Sequence, residues 1–598
     1  MTIVAVLLVI SCNKNNADRP SLPPWQTDTT DAIVWQKYAS GAEDNILPDF
    51  SYAGYHHGEE APAEGVPAGY TVYDVTDYGA IANDGLSDRE AFIRCLEAAF
   101  NTTREVYNRE VDIYGPNAAK AIIYFPEGEY ILHDDTTPET GNYVQDGVKI
   151  SRSIVINAGY FIIRGAGREK TRLVMAAKNY PRSEEMYSSP DMIAIKHNAW
   201  IQSYTVPVNV TENVPKGAYS VKASNAMQIL PGEWVCLHLL NNNPSTELLR
   251  YECGGHNAEP YMTSINGMSG RTDRGVIVED YHQVKSVNGN VITFYEPIMR
   301  DIDLRRDGSF EVMKYYHYEE VGIEDVTFVG DCVEDFTHHR SWIDDGAFKP
   351  LGYNRLVNSW IRRVGFESVS ECLSIKQSAN CLATDIVISG KRGHAGVRAA
   401  GSSRVFLGKI REPSRGWNIN YGQKLGTTYF EDAGQYHGSG VSKPSMGTVI
   451  WRNHWGKDAT FESHATQPRA TLVDCCKGGW VEHRFGGNEK ETPNHLGDLV
   501  LWNIETERFF GRAPQKTNFQ WWGTQGNSAI TWRITPPIVV GFHGEPEITF
   551  DKSPDQVKYL ESPGLPVHPE SLYEAQIQRR LGYIPAWLLE LKSISDHL

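Results

Sequence analysis

The sequence has no apolar run long enough to form a helix that crosses a bilayer, and no long low-complexity segment. It also has no excess of positive charge: 57 Lys and Arg stand against 74 Asp and Glu, for a net charge of −17 at neutral pH. Nucleic acid needs a basic face, so no nucleic-acid partner is expected, whereas a local basic groove can still hold an acidic polymer. Cysteine is sparse, nine residues without metal-ligand or disulfide spacing, and all except Cys12 read as small buried hydrophobes. The glycines of Arg164-Gly-Ala-Gly167 are not followed by the Lys-Ser/Thr of a phosphate-binding loop, so they read as turn residues. What remains is a 598-residue chain, long enough for a large core, with 15 Trp and 30 Tyr.

The most informative stretch runs from Asn358 to Tyr421, where apolar positions recur every 22 residues. Asn358-Ser-Trp-Ile, Asn380-Cys-Leu-Ala and Ser402-Ser-Arg-Val open three successive units. Phe366, Ile388 and Ile410 form one column, and Ile375, Val397 and Ile419 another. The runs are short, alternating and rich in Val, Ile and Phe, so they read as strands stacked in a solenoid. Asn358 and Asn380 suit a stacked turn, where Asn tolerates left-handed φ. The predicted fold is all-β: a right-handed parallel β-helix. Because side chains alternate along a strand, inward Leu373 and Ile375 turn Lys376 outward. Steps of 22 then place Arg398, Asn420 and finally His464 in the same outward column. Two cations side by side repel unless something anionic lies across them, which points to an anionic ligand.

Other segments frame this core. Ile3 to Ile10 is too short for a span and suits a signal-peptide core; its ending, Val9-Ile10-Ser11-Cys12, resembles a bacterial lipoprotein signal with a lipid on the Cys12 sulfur. Ser87-Asp-Arg-Glu90 reads as a capping box for a helix with Phe92, Cys95, Leu96, Ala99 and Phe100 on one face, suited to plug the solenoid. Two apolar runs joined at Asn288-Gly289 read as a hairpin within a small antiparallel insertion. The excursion from Cys332 to Pro350 carries His338, His339, Asp344 and Asp345; its spacing matches no standard metal pattern, and a polar loop over the groove is preferred to a metal site. Ser571 and Glu574 cap a C-terminal helix. The expected organisation is a signal at 1–12, a tether at 13–65 and an N-terminal cap with first coils at 66–200. A β insertion at 200–310, the main β-helix with its groove at 311–550, and a C-terminal extension at 551–598 complete it.

Asp77-Tyr-Gly-Ala, Phe125-Pro-Glu-Gly and Arg164-Gly-Ala-Gly together resemble the opening of pectate-lyase-like β-helix proteins, a superfamily of polysaccharide lyases, glycoside hydrolases and phage tailspikes. Within it, Lys376-Gln-Ser-Ala-Asn380 and Arg398 are similar to the catalytic Lys and Arg of the alginate lyase and chondroitinase B type, and Glu371 to one of its calcium ligands. Val369 and Ala399 depart from that pattern, standing where the family has a second acidic ligand and a His. The resemblance implies β-elimination on a uronic-acid polysaccharide: glycosaminoglycan, alginate, pectin or an ulvan-like polymer. A cation must neutralise the uronate carboxylate, a base must take the C5 proton and an acid must protonate the leaving oxygen. Lys376 is the expected base, Arg398 the expected acid or charge stabiliser, and His464 an alternative base. Asn420, Tyr436, His437, Arg469, His483 and Arg484 are candidates for substrate binding. No cofactor is required, although Ca²⁺ is possible at Glu371. The alternatives are a glycoside hydrolase, which needs two flanking carboxyls, and a non-catalytic glycan-binding solenoid. The expected location is the bacterial envelope, outer membrane or periplasm-facing, with a monomer held to the membrane only by the Cys12 lipid.

Overall fold

A computed structural model describes residues 30–595 apart from 184, 253, 256–274, 421, 465, 483, 485–493, 512–516, 522–533 and 555. The chain winds into a right-handed parallel β-helix with, among the described residues, a 15-stranded and a 9-stranded sheet. In the larger sheet Ile361, Ala383, Leu407, Ile450, Val473, Leu501 and Val539 stack in register into the helix interior. Their neighbours Trp360, Leu382, Phe406, Val449, Leu472, Val500 and Ile538 point the opposite way, yet they too are buried, in a second core. A sheet covered on both faces carries continuous rather than alternating apolar residues, as these strands do.

Three elements cover that outer face. The first is a six-stranded antiparallel sheet whose hairpin, Val276–Asn288 with Val291–Phe294, turns at Asn288-Gly289. The second is the C-terminal helix Leu572–Leu581, capped by Ser571 through the Glu574 N–H at 3.1 Å. The third is the segment from residue 30 to 65, which is part of the folded body and not the tether its polar composition suggested. Its helix Ile33–Ser40 follows a strand paired with Val567–His568, and Leu47, Phe50 and Ala53 are buried. The Asn380 side-chain amide donates to the carbonyls of Tyr52 (2.9 Å) and Gly54 (3.1 Å), and the Asn358 side-chain oxygen accepts from His56 N–H at 3.1 Å. The asparagine ladder therefore turns the coil and also holds the N-terminal segment; both residues have left-handed φ, 45° and 49°.

Helix Arg89–Phe100 closes the N-terminal end, burying Phe92, Cys95, Leu96 and Phe100 in the interior core. The expected capping box is not made. Asp88 is the cap residue, its carboxylate accepts from Ile81 and Ile131 N–H, and Glu90 instead pairs with Arg104. Cys95, Cys236, Cys332, Cys372, Cys381 and Cys476 are buried free thiols, and Cys475 is half-buried.

The register departs from a uniform 22. Trp360 pairs with Leu382, 22 residues on, but Leu382 pairs with Phe406, 24 on. Two extra residues leave the in/out parity of every side chain unchanged. The shift is therefore invisible in the hydrophobic pattern, yet it moves every neighbour. Ile410 lies beside Ile386, not Ile388, and Lys376 beside Ala400, not Arg398. The next coil carries an antiparallel arm, Gly416–Asn420 with Lys424–Phe430, so Ala400 pairs with Ser442. Ser442 then pairs with His464. His464 does share the row of Lys376, but the intervening coils are three, of 24, 42 and 22 residues, instead of four.

Candidate functional site

The 9-stranded sheet presents strands Leu351–Asn354, Glu371–Lys376, Ala395–Ala400, Gly440–Ser442 and Glu462–His464 side by side. One outward row runs Asn354, Lys376, Ala400, Ser442, His464, and the next runs Gly352, Ser374, Arg398, Gly440, Glu462. The glycines matter here. A Cβ on Gly440 would lie 1.9 Å from the Glu462 carbonyl oxygen, so only glycine lets these strands approach. With no side chain at Gly440, Arg398 reaches across that strand and donates to Glu462 Oε2.

Glu462 is the centre of the arrangement. His437 Nδ1 lies 3.0 Å from its Oε1, and His464 Nε2 lies 4.0 Å from the same oxygen. Its side chain is wholly buried, and burial pushes its pKa up to about 7 against the opposing pull of Arg398 and His394. Glu371 behaves in the opposite way. Burial alone would raise its pKa, but Lys349, with His394 and Arg398, holds it well below the ordinary carboxylate range. Its oxygens pair with Lys349 Nζ at 3.0 Å and His394 Nδ1 at 3.1 Å. Both are thus engaged by cationic partners, and Val369 stands where a second acidic ligand would be. This pair of positions does not fit Ca²⁺, which takes six to eight oxygen ligands.

The Cys332–Pro350 excursion folds over this face and adds His338, His339, Asp345 and Lys349. His338 Nε2 meets His437 Nε2 at 3.2 Å, and the His338 ring stacks on Tyr436 at 4.1 Å. His339 Nδ1 pairs with Asp345 Oδ2 at 2.6 Å. Five of the chain's 19 histidines, His338, His339, His394, His437 and His464, converge here. Burial, reinforced by neighbouring histidines, drives the pKa of His338 and His437 well below the usual imidazole value. Burial also opposes charge on His394, but Asp345 and Glu371 outweigh it and raise its pKa.

The sequence candidates divide accordingly. Lys376, Arg398 and His464 all face outward, with side chains 41%, 16% and 29% exposed. Lys376 lies 3.9 Å from the Asp191 carboxylate, so its nearest charged partner is an anion and not Arg398. It is also three strand spacings from His464, about 14 Å, too far for both to act on one bond. Tyr436 and His437 belong to the cluster but are buried. Asn420 lies outside the row, because the chain leaves the sheet at Gly416; its side-chain oxygen accepts from Asn418. Arg469 lies on the larger sheet, buried, where it pairs with Glu252 at 2.9 Å and fastens the antiparallel insertion. Arg484 is also buried. It donates to Asp458 Oδ2 at 2.7 Å and lies under the Tyr436 ring at 4.2 Å, which places it behind the site. His483 and Cys12 lie outside the described residues.

His394, Lys349 and Asp191 stand out in no motif or column of the sequence. His394 was findable in principle, in the turn just before the Arg398 strand; the other two depend on how the excursion folds.

Among protein families, the model for the domain of unknown function DUF4955 matches residues 434–591. No curated protein matches. Similar solved structures include the tailspike protein gp49 from Pseudomonas phage LKA1, 10% identical with a TM-score of 0.36 over 79% of this chain and 70% of that one. The surface adhesin PfbA of Streptococcus pneumoniae is 9% identical, with a TM-score of 0.37 over 81% and 87%. DFA-IIIase from Arthrobacter chlorophenolicus A6 is 9% identical, with a TM-score of 0.35 over 81% and 87%.

Proposed function

We propose that the protein cleaves an acidic, uronate-containing polysaccharide by β-elimination, with glycosaminoglycans first among the substrates. The observation that carries this reading is the convergence of Arg398, His437 and His464 on Glu462 beneath an outward face. Arg398 would neutralise the uronate carboxylate, which makes the C5 proton removable. His464, oriented from behind by Glu462, would take that proton. The C5–H bond breaks, its electrons form the C4=C5 double bond, and the C4–O bond breaks with its electron pair going to the departing oxygen. The histidine, now protonated, is the acid at hand for the departing oxygen. Lys376 would hold an acidic group of a neighbouring sugar along the row.

Glu371 and Glu462, whose environments push their pKa values apart, resemble the acid and base of a hydrolase. The complete burial of the Glu462 side chain disfavours that reading, because a general acid must touch the glycosidic oxygen. The test is ultraviolet absorbance during digestion of a panel of uronate polysaccharides. The expected result is a rise from unsaturated product that His464→Ala abolishes, while Lys376→Ala raises KM more than it lowers kcat. New reducing ends without absorbance would replace the lyase by a hydrolase, and binding without cleavage by a glycan-binding solenoid. We further place the protein at the bacterial envelope through a lipid on Cys12, on the strength of the Val9-Ile10-Ser11-Cys12 ending. Metabolic labelling with palmitate that persists in Cys12→Ala would refute that placement.

A further inference from the structure

Three of the clustered histidines take no part in the proton transfer of the proposed elimination. His338 comes from the excursion, and His394 and His437 lie at the starts of two adjacent strands of the site sheet, bonded through the His437 N–H to the His394 carbonyl at 2.8 Å. All three are buried, and each offers one ligand atom within 4.8 Å of the others. Two have a carboxylate behind the ring. Glu371 pairs with His394 Nδ1 at 3.1 Å, and Glu462 lies 3.0 Å from His437 Nδ1. In both, the far nitrogen, Nε2, is left for another partner. For His437 that nitrogen meets His338 Nε2 at 3.2 Å. For His394 it is buried and has no hydrogen-bond partner among the described residues.

We propose that His338, His394 and His437 bind a first-row divalent transition metal, Zn²⁺ before others, which fastens the Cys332–Pro350 excursion to the site sheet. Carboxylate behind imidazole is the arrangement that fixes the ring and its tautomer in metal sites. A tetrahedral ion with Zn–N bonds of about 2.0–2.1 Å sets its ligand nitrogens roughly 3.3 Å apart, close to the spacing between His338 and His437. An all-imidazole donor set favours zinc, copper or nickel over calcium and magnesium, which take oxygen. The geometry also answers an energetic question. Leaving a buried polar atom without a partner is costly, and a metal at this point would give His394 Nε2 its partner. Sequence spacing hides such a site, because its ligands come from two coils and the excursion.

The test uses the full-length protein. After dialysis against chelator, titration with Zn²⁺ and with Co²⁺ is followed by calorimetry, elemental analysis and visible absorption. The expected result is one equivalent of bound ion and the intense visible bands of tetrahedral Co²⁺. His338→Ala, His394→Ala and His437→Ala should each lose the ion, and Glu371→Gln should bind about 10–100-fold more weakly. His464→Ala should keep the ion even where it abolishes cleavage, so failure of the lyase reading and failure of the metal site remain distinguishable. Wild-type protein with no stoichiometric Zn²⁺ or Co²⁺ would overturn the proposal without reference to any variant. So would His338→Ala and His437→Ala proteins that bind as tightly as wild type. Trypsin cleavage at half-exposed Arg340 supplies an independent readout: chelator should accelerate it and Zn²⁺ restore protection, and equal rates would count against the metal.

Discussion

Asp458→Asn should be among the most destabilising single changes in this protein, although Asp458 is one of 74 acidic residues and conspicuous in no motif. Its carboxylate is wholly buried and receives Arg392 (2.8 Å), Arg484 (2.7 Å), Arg508 (2.7 Å) and the Ile419 N–H (3.1 Å). Arg392 precedes the Arg398 strand, Arg484 follows strand Lys477–Val481, Arg508 belongs to strand Glu505–Phe510, and Ile419 belongs to the antiparallel arm. One carboxylate thus joins three coils and the arm behind the site. The arginines hold its pKa far below the ordinary range in spite of burial. The hub is nonetheless rich in positive charge: burial, with Arg484 nearby, pulls the Arg392 pKa down to about 10 even though Asp458 opposes it. Removing this anion leaves two fully buried guanidinium groups without their carboxylate partner. Breaking a buried pair from one side costs about 3–5 kcal/mol, a large share of a typical total of about 5–15 kcal/mol.

The assay is denaturant unfolding followed by tryptophan fluorescence, with hydrogen exchange on the Ala395–Ala400 strand as a local readout. Arg484→Met is the informative companion, since two arginines would still neutralise Asp458; it should cost less than Asp458→Asn. Stability of Asp458→Asn within about 0.5 kcal/mol of wild type, the range of an ordinary surface substitution, would refute the reasoning. An Arg484→Met protein of intact stability but weakened polysaccharide binding would return Arg484 to the substrate surface.

Asp474 accepts from Ser571 Oγ, Leu572 N–H and Tyr573 N–H at the start of the C-terminal helix, and burial raises its pKa from 3.8 to about 6. A folded-state pKa above the unfolded one favours folding when the group is protonated, so this contribution is complete below about pH 4 and lost as pH rises through 6. At 1.36 kcal/mol per pKa unit it is worth up to about 3 kcal/mol; wild type should lose stability relative to Asp474→Asn between pH 4 and 7, and parallel pH profiles would refute this. Asn380→Ala should cost about 2–4 kcal/mol in the same unfolding assay, combining left-handed strain with two lost hydrogen bonds to the N-terminal segment. Asn380→Gly should cost less, since glycine relieves the strain but not the lost bonds, and equal costs would remove strain from the account.

What could be read from the sequence follows from what a hydrophobic pattern measures. Alternation reports the parity of each residue, inside or outside, and parity survives any insertion of even length. The β-helix and the outward positions of Lys376, Arg398 and His464 were therefore legible, because each rests on parity alone. Neighbour relations were not. Two extra residues between Lys376 and Ala400 cost the pattern nothing, yet they separate Lys376 from Arg398 by a diagonal step and put Ser374 beside the arginine. A whole antiparallel arm between Ala400 and Ser442 likewise removed Asn420 from a row in which arithmetic had placed it. Charge misled for a related reason. Arg469 and Arg484 read in the sequence as substrate contacts, but a paired arginine can be buried, and their partners, Glu252 and Asp458, lie 217 and 26 residues away. The same logic hides the histidine cluster: His338, His394 and His437 have unremarkable spacing along the chain and become one site only when two coils and an excursion meet. In a solenoid, a motif confined to one coil can be seen in sequence, whereas a site spread across coils depends on the length of every corner between them.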